Sequence, residues 1–359
     1  MGIFSKKLNI LVLGSEGMLG HDVYQHFYLE SLDKHSKIGK VVGLDALKGD
    51  LVEHEAMRMF MDYSVHFDYC INCIAYTDTS GAESGGYEEK FAESKRMLSY
   101  RLNAKLPYDV AMACKQHGTK LIHISTDYVF SEMNKCHGIA GTAGGLPVGI
   151  FPTPKSIYGT HKLLGEMFIK QVFGEKSKDY AILRTSWLFG MHNSKSFVHK
   201  FLLNALKCLR DGKKIEVTSN EHSVPTSTDF LVYCIGSCIE NKKKHGILHA
   251  VPTVDYVGYG CGIGEKYGPS RLEFAKLVLK KLDAPLSMFP GFESDSRRTS
   301  SIDVEPIERH TYAPTSSGML SSFMDERFSR SWEDDVSWFI SRNKHKLKEW
   351  LVDELNKKS

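Results

Sequence analysis

Residues 13–20 read Leu-Gly-Ser-Glu-Gly-Met-Leu-Gly and follow directly on the apolar run Asn9–Leu13. A short strand that runs into three glycines spaced by three, and then into an amphipathic stretch, constrains this chain more than any other feature. Gly14 allows a tight turn, Gly17 lets the backbone approach a pyrophosphate, and Gly20 permits a helix to pack closely on the strand. The start of that helix offers unpaired N–H groups and the positive end of its dipole to phosphates. The turn residues Gly14, Glu16, Gly17, Met18 and Leu19 are therefore the first candidate cofactor contacts.

The rest of the chain extends this beginning. Apolar runs at Val41–Leu44, Tyr69–Ile74, Leu121–Ser125 and Ala181–Leu183 alternate with helical patterns near 18–29, 53–61, 95–116 and 156–173. Repeated strand–helix–strand spelling predicts an α/β fold, a Rossmann doubly wound parallel sheet with helices on both faces. After about residue 190 the pattern loosens. Helical stretches near 196–209, 228–240, 271–282 and 332–356 are separated by loops rich in Gly, Pro and Ser. The expected division is a nucleotide-binding domain over 1–190 and a smaller α/β substrate lobe over 191–359, with the two interleaved.

Composition excludes several classes. With 46 basic and 43 acidic residues the formal net charge is +3, which gives no electrostatic footprint for nucleic acid. No apolar run approaches the roughly 18 residues of a membrane span, the opening run is too short for a signal peptide, and Lys6 breaks the myristoylation pattern. The 8 cysteines read as reduced thiols, because Cys70 and Cys73 lie three apart on a strand and face opposite ways. The expectation is a cytoplasmic protein, monomeric or homodimeric, acting on a small molecule, with no metal, membrane or nucleic-acid partner.

Two further groups carry chemistry. Asp45 closes the second strand, where a carboxylate can accept hydrogen bonds from an adenosine ribose; Asp50 and Leu51 follow where an adenine contact is expected, and Lys48 could offset the acid, so NADH and NADPH both remain open. The second group is Ser125-Thr126-Asp127-Tyr128 together with Tyr158-Gly-Thr-His-Lys162. Tyr158 and Lys162 are four apart and share a helix face. A lysine ammonium nearby is expected to lower the phenol pKa and to bond ribose hydroxyls. Thr126, at a strand's carboxyl end, can donate a hydrogen bond to a carbonyl oxygen.

In these residues the chain resembles the dTDP-4-dehydrorhamnose reductases, nucleotide-sugar reductases of the extended short-chain dehydrogenase/reductase kind. The matching pieces are Ile10–Gly20, Ile71–Thr77, Ala82-Glu83, Leu102–Ala104, Leu121–Phe130, Tyr158–Lys162 with Gly165-Glu166, Leu183–Gly190 and Pro225-Thr226. The resemblance implies a catalytic triad of Thr126, Tyr158 and Lys162. It implies that Ile74, Ala75, Tyr76, Asn103 and Ser125 border the cofactor, and that Thr77, Asp127, Tyr128 and Trp187 face the sugar. The implied reaction is NAD(P)H-dependent reduction of the C4 keto group of a nucleotide-linked 4-keto-6-deoxy sugar, in deoxysugar biosynthesis.

The chain departs from those relatives at Thr79-Ser80-Gly81, where they carry V-D-K, and at Glu221-His-Ser-Val-Pro-Thr226, where they read Q-x-G-x-P-T. Segments 131–155, 251–270 and 284–318 are longer than theirs. These departures lead us to expect a preference for a UDP-linked or N-acetylated sugar over dTDP-4-dehydrorhamnose. Two rival readings are a non-catalytic subunit like the beta subunit of methionine adenosyltransferase, and a sugar-nucleotide epimerase or dehydratase. The intact S-T-D-Y and R-T-S-W argue against the first. The absence of an Asp-Glu pair after Thr126 argues against a dehydratase.

Overall fold

The computed structural model describes residues 6–45, 65–83, 90–130, 151–192, 196–211, 213, 215–219, 221–241, 243–253, 268–282, 304–307 and 330–357. The strands are β1 (Leu8–Leu13), β2 (Ile38–Leu44), β3 (Tyr69–Asn72), β4 (Lys120–Thr126), β5 (Tyr180–Thr185), β6 (Leu188–Phe189), β7 (Ile215–Thr218), β8 (Thr226–Ser227), β9 (Gly246–His249) and β10 (Val304–Ile307). The helices are α1 (Met18–Ser31), α2 (Thr79–Glu83), α3 (Lys90–Tyr100), α4 (Leu106–His117), α5 (Ile157–Phe173), α6 (Phe197–Arg210), α7 (Thr228–Glu240), α8 (Arg271–Leu282) and α9 (Trp332–Asn356).

Six strands form one sheet in the order β2-β1-β3-β4-β5-β9, and every pairing within it is parallel. The chain leaves β1 for β2 on one side and returns to β3 on the other. That reversal opens a crevice at the carboxyl ends of β1 and β3, where sheets of this kind bind ligands. Alternation along β1 shows why the sheet is covered on both faces. Ile10 and Val12 pack with Leu19, Val23 and Phe27 of α1 and with α7. Leu11 and Leu13 pack with Val110 and Cys114 of α4 and Ile169 of α5. Cys70 and Cys73 divide between these same two faces, and both are free thiols.

A third core joins α6, α8, α9 and β7 around Phe189, Phe274 and Phe339. The sheet also takes in β9 and packs α7 against α1, so elements beyond residue 190 complete the sheet. Sequence patterning places α7, α8 and α9 at the observed residues. It misses β9 and β7, which are too short to show a period. It also reads 95–116 as one helix, whereas a π-helical turn at Arg101–Lys105 separates α3 from α4. The helical pattern near 53–61 lies outside the described residues. No described helix is long and apolar enough to cross a membrane.

Candidate active site

The phosphate turn is built as its glycines require. Gly14 sits at φ +79°, a conformation that side chains rarely adopt. Its N–H donates to the Leu44 carbonyl at 2.6 Å, and the Ser15 N–H reaches the same oxygen at 3.3 Å. This ties the turn to the end of β2 and brings Asp45 alongside it. A Cβ on Gly20 would overlap the Gly14 carbonyl, because α1 starts flush against the turn. Gly17 is the N-cap of α1, no side chain caps that end, and its first turn holds no acidic residue. No acidic side chain within that first helical turn competes for its N–H groups, which fits a dinucleotide pyrophosphate. Gly20→Ala is expected to lower stability by about 1–3 kcal/mol through overpacking and to abolish coenzyme binding; urea denaturation and coenzyme titration check both.

Asn103 stands on the π-helical turn, a distortion common at functional sites. Its Oδ1 accepts the Tyr76 N–H at 3.1 Å and its Nδ2 donates to the Tyr76 carbonyl at 3.0 Å. One buried side chain thus fixes the loop Ala75–Thr77 that leaves β3. Ile74, packed above Gly14, completes that wall. Asp50 and Leu51 lie outside the described residues.

Thr126 and Tyr158 share a hydrogen bond across the ends of β4 and α5, Lys162 stands one helical turn further along α5 with its Nζ on the Ile124 carbonyl of β4, and all three are buried. Helix α5 begins with two caps. Ser156 accepts the Gly159 N–H at 2.9 Å, and Glu83 accepts the Ile157 and Tyr158 N–H groups at 2.6 and 3.3 Å. A Cβ on Gly159 would overlap the Tyr128 carbonyl. The glycine after Tyr158 therefore lets the helix close on the 3-10 turn Asp127–Val129. The Tyr128 and Tyr158 rings meet edge to face, with centroids 5.5 Å apart.

Burial governs the electrostatics. Tyr158 is raised above the ordinary tyrosine range, first by burial and then by Tyr128 and Asp127, while a hydrogen bond with Thr126 acts the other way. Helical spacing predicts that Lys162 lowers it. In the structure Lys162 Nζ instead donates to the Ile124 carbonyl at 2.6 Å, and burial pushes the ammonium itself down to about 8. Tyr128 is pushed up to about 12 by burial and Asp127. A neutral, protonated Tyr158 is the form an acid needs before it gives up a proton.

The neighbouring carboxylate organises the rest. Asp127 Oδ1 accepts the Thr126 hydroxyl at 3.1 Å and Oδ2 accepts the Ser223 hydroxyl at 2.5 Å. Ser223 also bonds Ser186. Trp187 adopts φ +33°, an uncommon value away from glycine. The Arg271 guanidinium lies 4.2 Å from the Trp187 ring centroid and pairs with Glu221 at 2.6 Å. Among the described residues no cluster of His, Cys, Asp or Glu is arranged to hold a metal ion.

A family model described as the RmlD substrate binding domain matches residues 8–344. The chain belongs to that family. Among curated relatives, the dTDP-4-dehydrorhamnose reductase of Mycobacterium tuberculosis is 27% identical over 295 residues, covering 79% of this chain and 84% of the relative. The crystal structure of dTDP-4-dehydrorhamnose reductase from Bacillus anthracis, in complex with NADP, superposes with a TM-score of 0.66 at 23% identity, covering 94% of this chain and 99% of that one. The UDP-glucuronic acid 4-epimerase of Bacillus cereus, in complex with UDP-glucuronic acid and NAD, gives 0.61 at 15% identity, covering 96% and 100%. At these identities the two structural likenesses show the fold.

Within this member of the RmlD family, the residues flagged by sequence fall into two groups. Gly14, Ile74, Tyr76 and Asn103 gather at the carboxyl ends of β1 and β3, and Thr126 and Tyr158 at the end of β4, while Ser125 and Lys162 bond inward to Glu166 and the Ile124 carbonyl. Asp127, Tyr128 and Trp187 lie toward Ser223, Glu221 and Arg271. Sequence reasoning gives no role to Glu83, Glu166, Asn72, His123, Ser223 or Arg271. Glu83, Glu166, Asn72 and His123 stand inside the matched motifs, and their position there is the available signal. Ser223 and Glu221 stand among the departures.

Proposed function

We propose that the protein reduces the C4 keto group of a nucleotide-linked 4-keto-6-deoxy sugar with NAD(P)H, as the dTDP-4-dehydrorhamnose reductases do. What supports this is the hydrogen bond between Thr126 and Tyr158 at the carboxyl end of β4, with Lys162 one helical turn on, in a parallel sheet whose first strand runs into an uncapped, glycine-lined helix start. When bound, the reduced nicotinamide supplies a hydride to C4. Tyr158 protonates the developing alkoxide, held protonated until then by its buried surroundings. Thr126 turns its hydroxyl from Asp127 to the carbonyl oxygen, where a donor stabilises the growing negative charge. Lys162 supports the phenolate that remains. Asp127, Tyr128 and Trp187 line the sugar side, and the active protein is cytoplasmic, consistent with its free thiols.

The relatives make dTDP-4-dehydrorhamnose the reference substrate. The expectation of a different base or sugar rests on segments 131–155, 251–270 and 284–318, most of which lie outside the described residues. The test is incubation with NADPH or NADH and a panel of dTDP- and UDP-linked 4-keto-6-deoxy sugars, with products identified by mass and NMR. Coenzyme oxidation with formation of a 6-deoxy sugar alcohol at C4 is expected. A panel that yields no reduced sugar contradicts the proposal, and direct competition between the dTDP and UDP members settles the base.

Asp45 gives a coenzyme prediction. A carboxylate beside the phosphate turn repels a 2′-phosphate and accepts bonds from a 2′-hydroxyl. Asp45→Ala is expected to raise kcat/KM for NADPH relative to NADH several-fold. An unchanged ratio would make Asp45 structural only.

A further inference from the structure

Asn72, His123 and Lys162 form a buried line beneath the site, and the reduction chemistry above leaves the first two unused. Asn72 of β3 and His123 of β4 are partners in register, and both are fully buried. The Asn72 amide is fixed in orientation because its Oδ1 accepts the Ile74 N–H at 3.1 Å. Its Nδ2 therefore points at His123 Nδ1, 3.2 Å away. An amide N–H only donates, so Nδ1 must accept, and the proton of a neutral imidazole then sits on Nε2. Burial, followed by the Lys162 charge, holds this imidazole neutral, far below the usual histidine range. Nε2 lies 3.4 Å from Lys162 Nζ.

The consequence is a donor facing a cation. An ammonium has three N–H donors and nothing to accept with, whereas an amine has a lone pair for the Nε2–H. The imidazole thus favours the amine form of Lys162. The other neighbours of Nζ act differently. The Ile124 carbonyl accepts its proton, and Glu166, four residues on along α5, favours the charged form. The Cys73 thiol at the end of β3 is raised by burial, so it carries no charge near neutral pH. Burial disfavours the ammonium throughout.

We propose that His123, held in its Nε2–H form by Asn72, is a positioning residue that sets the ionisation of Lys162. If Lys162 serves the reduction as the ammonium, as the proposed function has it, activity falls as pH rises through the Lys162 pKa. Removing the imidazole N–H then moves that limit upward.

The test uses the full chain labelled with 13C at the lysine Cε, with the Lys162 resonance identified by its loss in Lys162→Met. In the wild type, Lys162 is expected to titrate well below the ordinary lysine value of about 10.4. His123→Phe keeps a ring without a donor, and His123→Gln offers Nζ a carbonyl oxygen. Both are expected to raise the Lys162 midpoint by about one unit, and to move the alkaline limb of kcat for keto-sugar reduction by the same amount. A wild-type Lys162 that titrates with the surface lysines overturns the proposal, and that arm needs no variant to fold. Midpoints that stay put or fall in both variants also overturn it. A 13C midpoint that rises while the alkaline limb does not supports the proposal and counts instead against Lys162 in the reduction.

Discussion

Tyr158→Phe is expected to lower kcat on the order of 10²–10⁴-fold while leaving coenzyme affinity close to that of the parent. The ring stays and only the hydroxyl goes, so the edge-to-face contact with Tyr128 is kept. The helix is held by Ser156 and Glu83 acting on backbone N–H groups, and neither cap depends on the phenol. Stability and coenzyme titration should therefore barely change. What disappears is the acid. Its neighbour Thr126, bonded to Asp127 in the resting site, cannot replace it, since an aliphatic hydroxyl is a far weaker acid than a phenol. Steady-state kinetics with the reference keto sugar and a coenzyme titration check the two halves separately. Near-parental turnover would remove Tyr158 from the mechanism.

Glu166→Ala is expected to destabilise the protein by about 3–5 kcal/mol, because it strands a buried guanidinium. Glu166 lies on α5 one turn beyond Lys162, and Arg184 lies on β5. The pair is bidentate, with Nε 3.0 Å from Oε1 and Nη2 2.6 Å from Oε2, and the two side chains are 1% and 2% exposed. Ser125 donates to the same carboxylate at 2.5 Å, and the guanidinium lies over the Phe130 ring. Water can screen neither charge. Replacing both members by leucine should cost less than the sum of the two single losses, since no lone charge then stays buried. Urea denaturation of the singles and the double measures this. A loss under about 1 kcal/mol in Glu166→Ala, typical of an exposed pair, would contradict it. Where the variant folds, the alkaline limb of kcat should move down, because Glu166 supports the Lys162 ammonium.

Features of this molecule that follow from local repetition are legible in the amino-acid sequence itself. The glycine turn is a statement about backbone space within eight residues, and Tyr158 and Lys162 share a face because a helix has a fixed period. Strand alternation places Cys70 and Cys73 on opposite faces for the same reason. Other features depend on which distant residue arrives opposite. Glu83 caps a helix that begins more than seventy residues later. Asn72 meets His123 only through the register of β3 on β4, and Ser223 reaches Asp127 from across the chain. No periodicity encodes such meetings. The expected lowering of Tyr158 by Lys162 fails for a related reason. Spacing along a helix gives the shared face but not the burial, and here burial, then Tyr128 and Asp127, raise the phenol while the Lys162 Nζ is bonded to Ile124.

The central claim is that this site delivers hydride from a nicotinamide to C4 of a nucleotide-linked keto sugar. The most direct measurement uses coenzyme deuterated at the transferred position of the nicotinamide, with dTDP-4-dehydrorhamnose as substrate, and locates the label in the product by NMR and mass. The account predicts one deuterium, bound to C4 of the reduced sugar, with coenzyme oxidised in equal amount. Reduction without deuterium at C4, or no reduction of this sugar or of its UDP-linked counterparts, would contradict it.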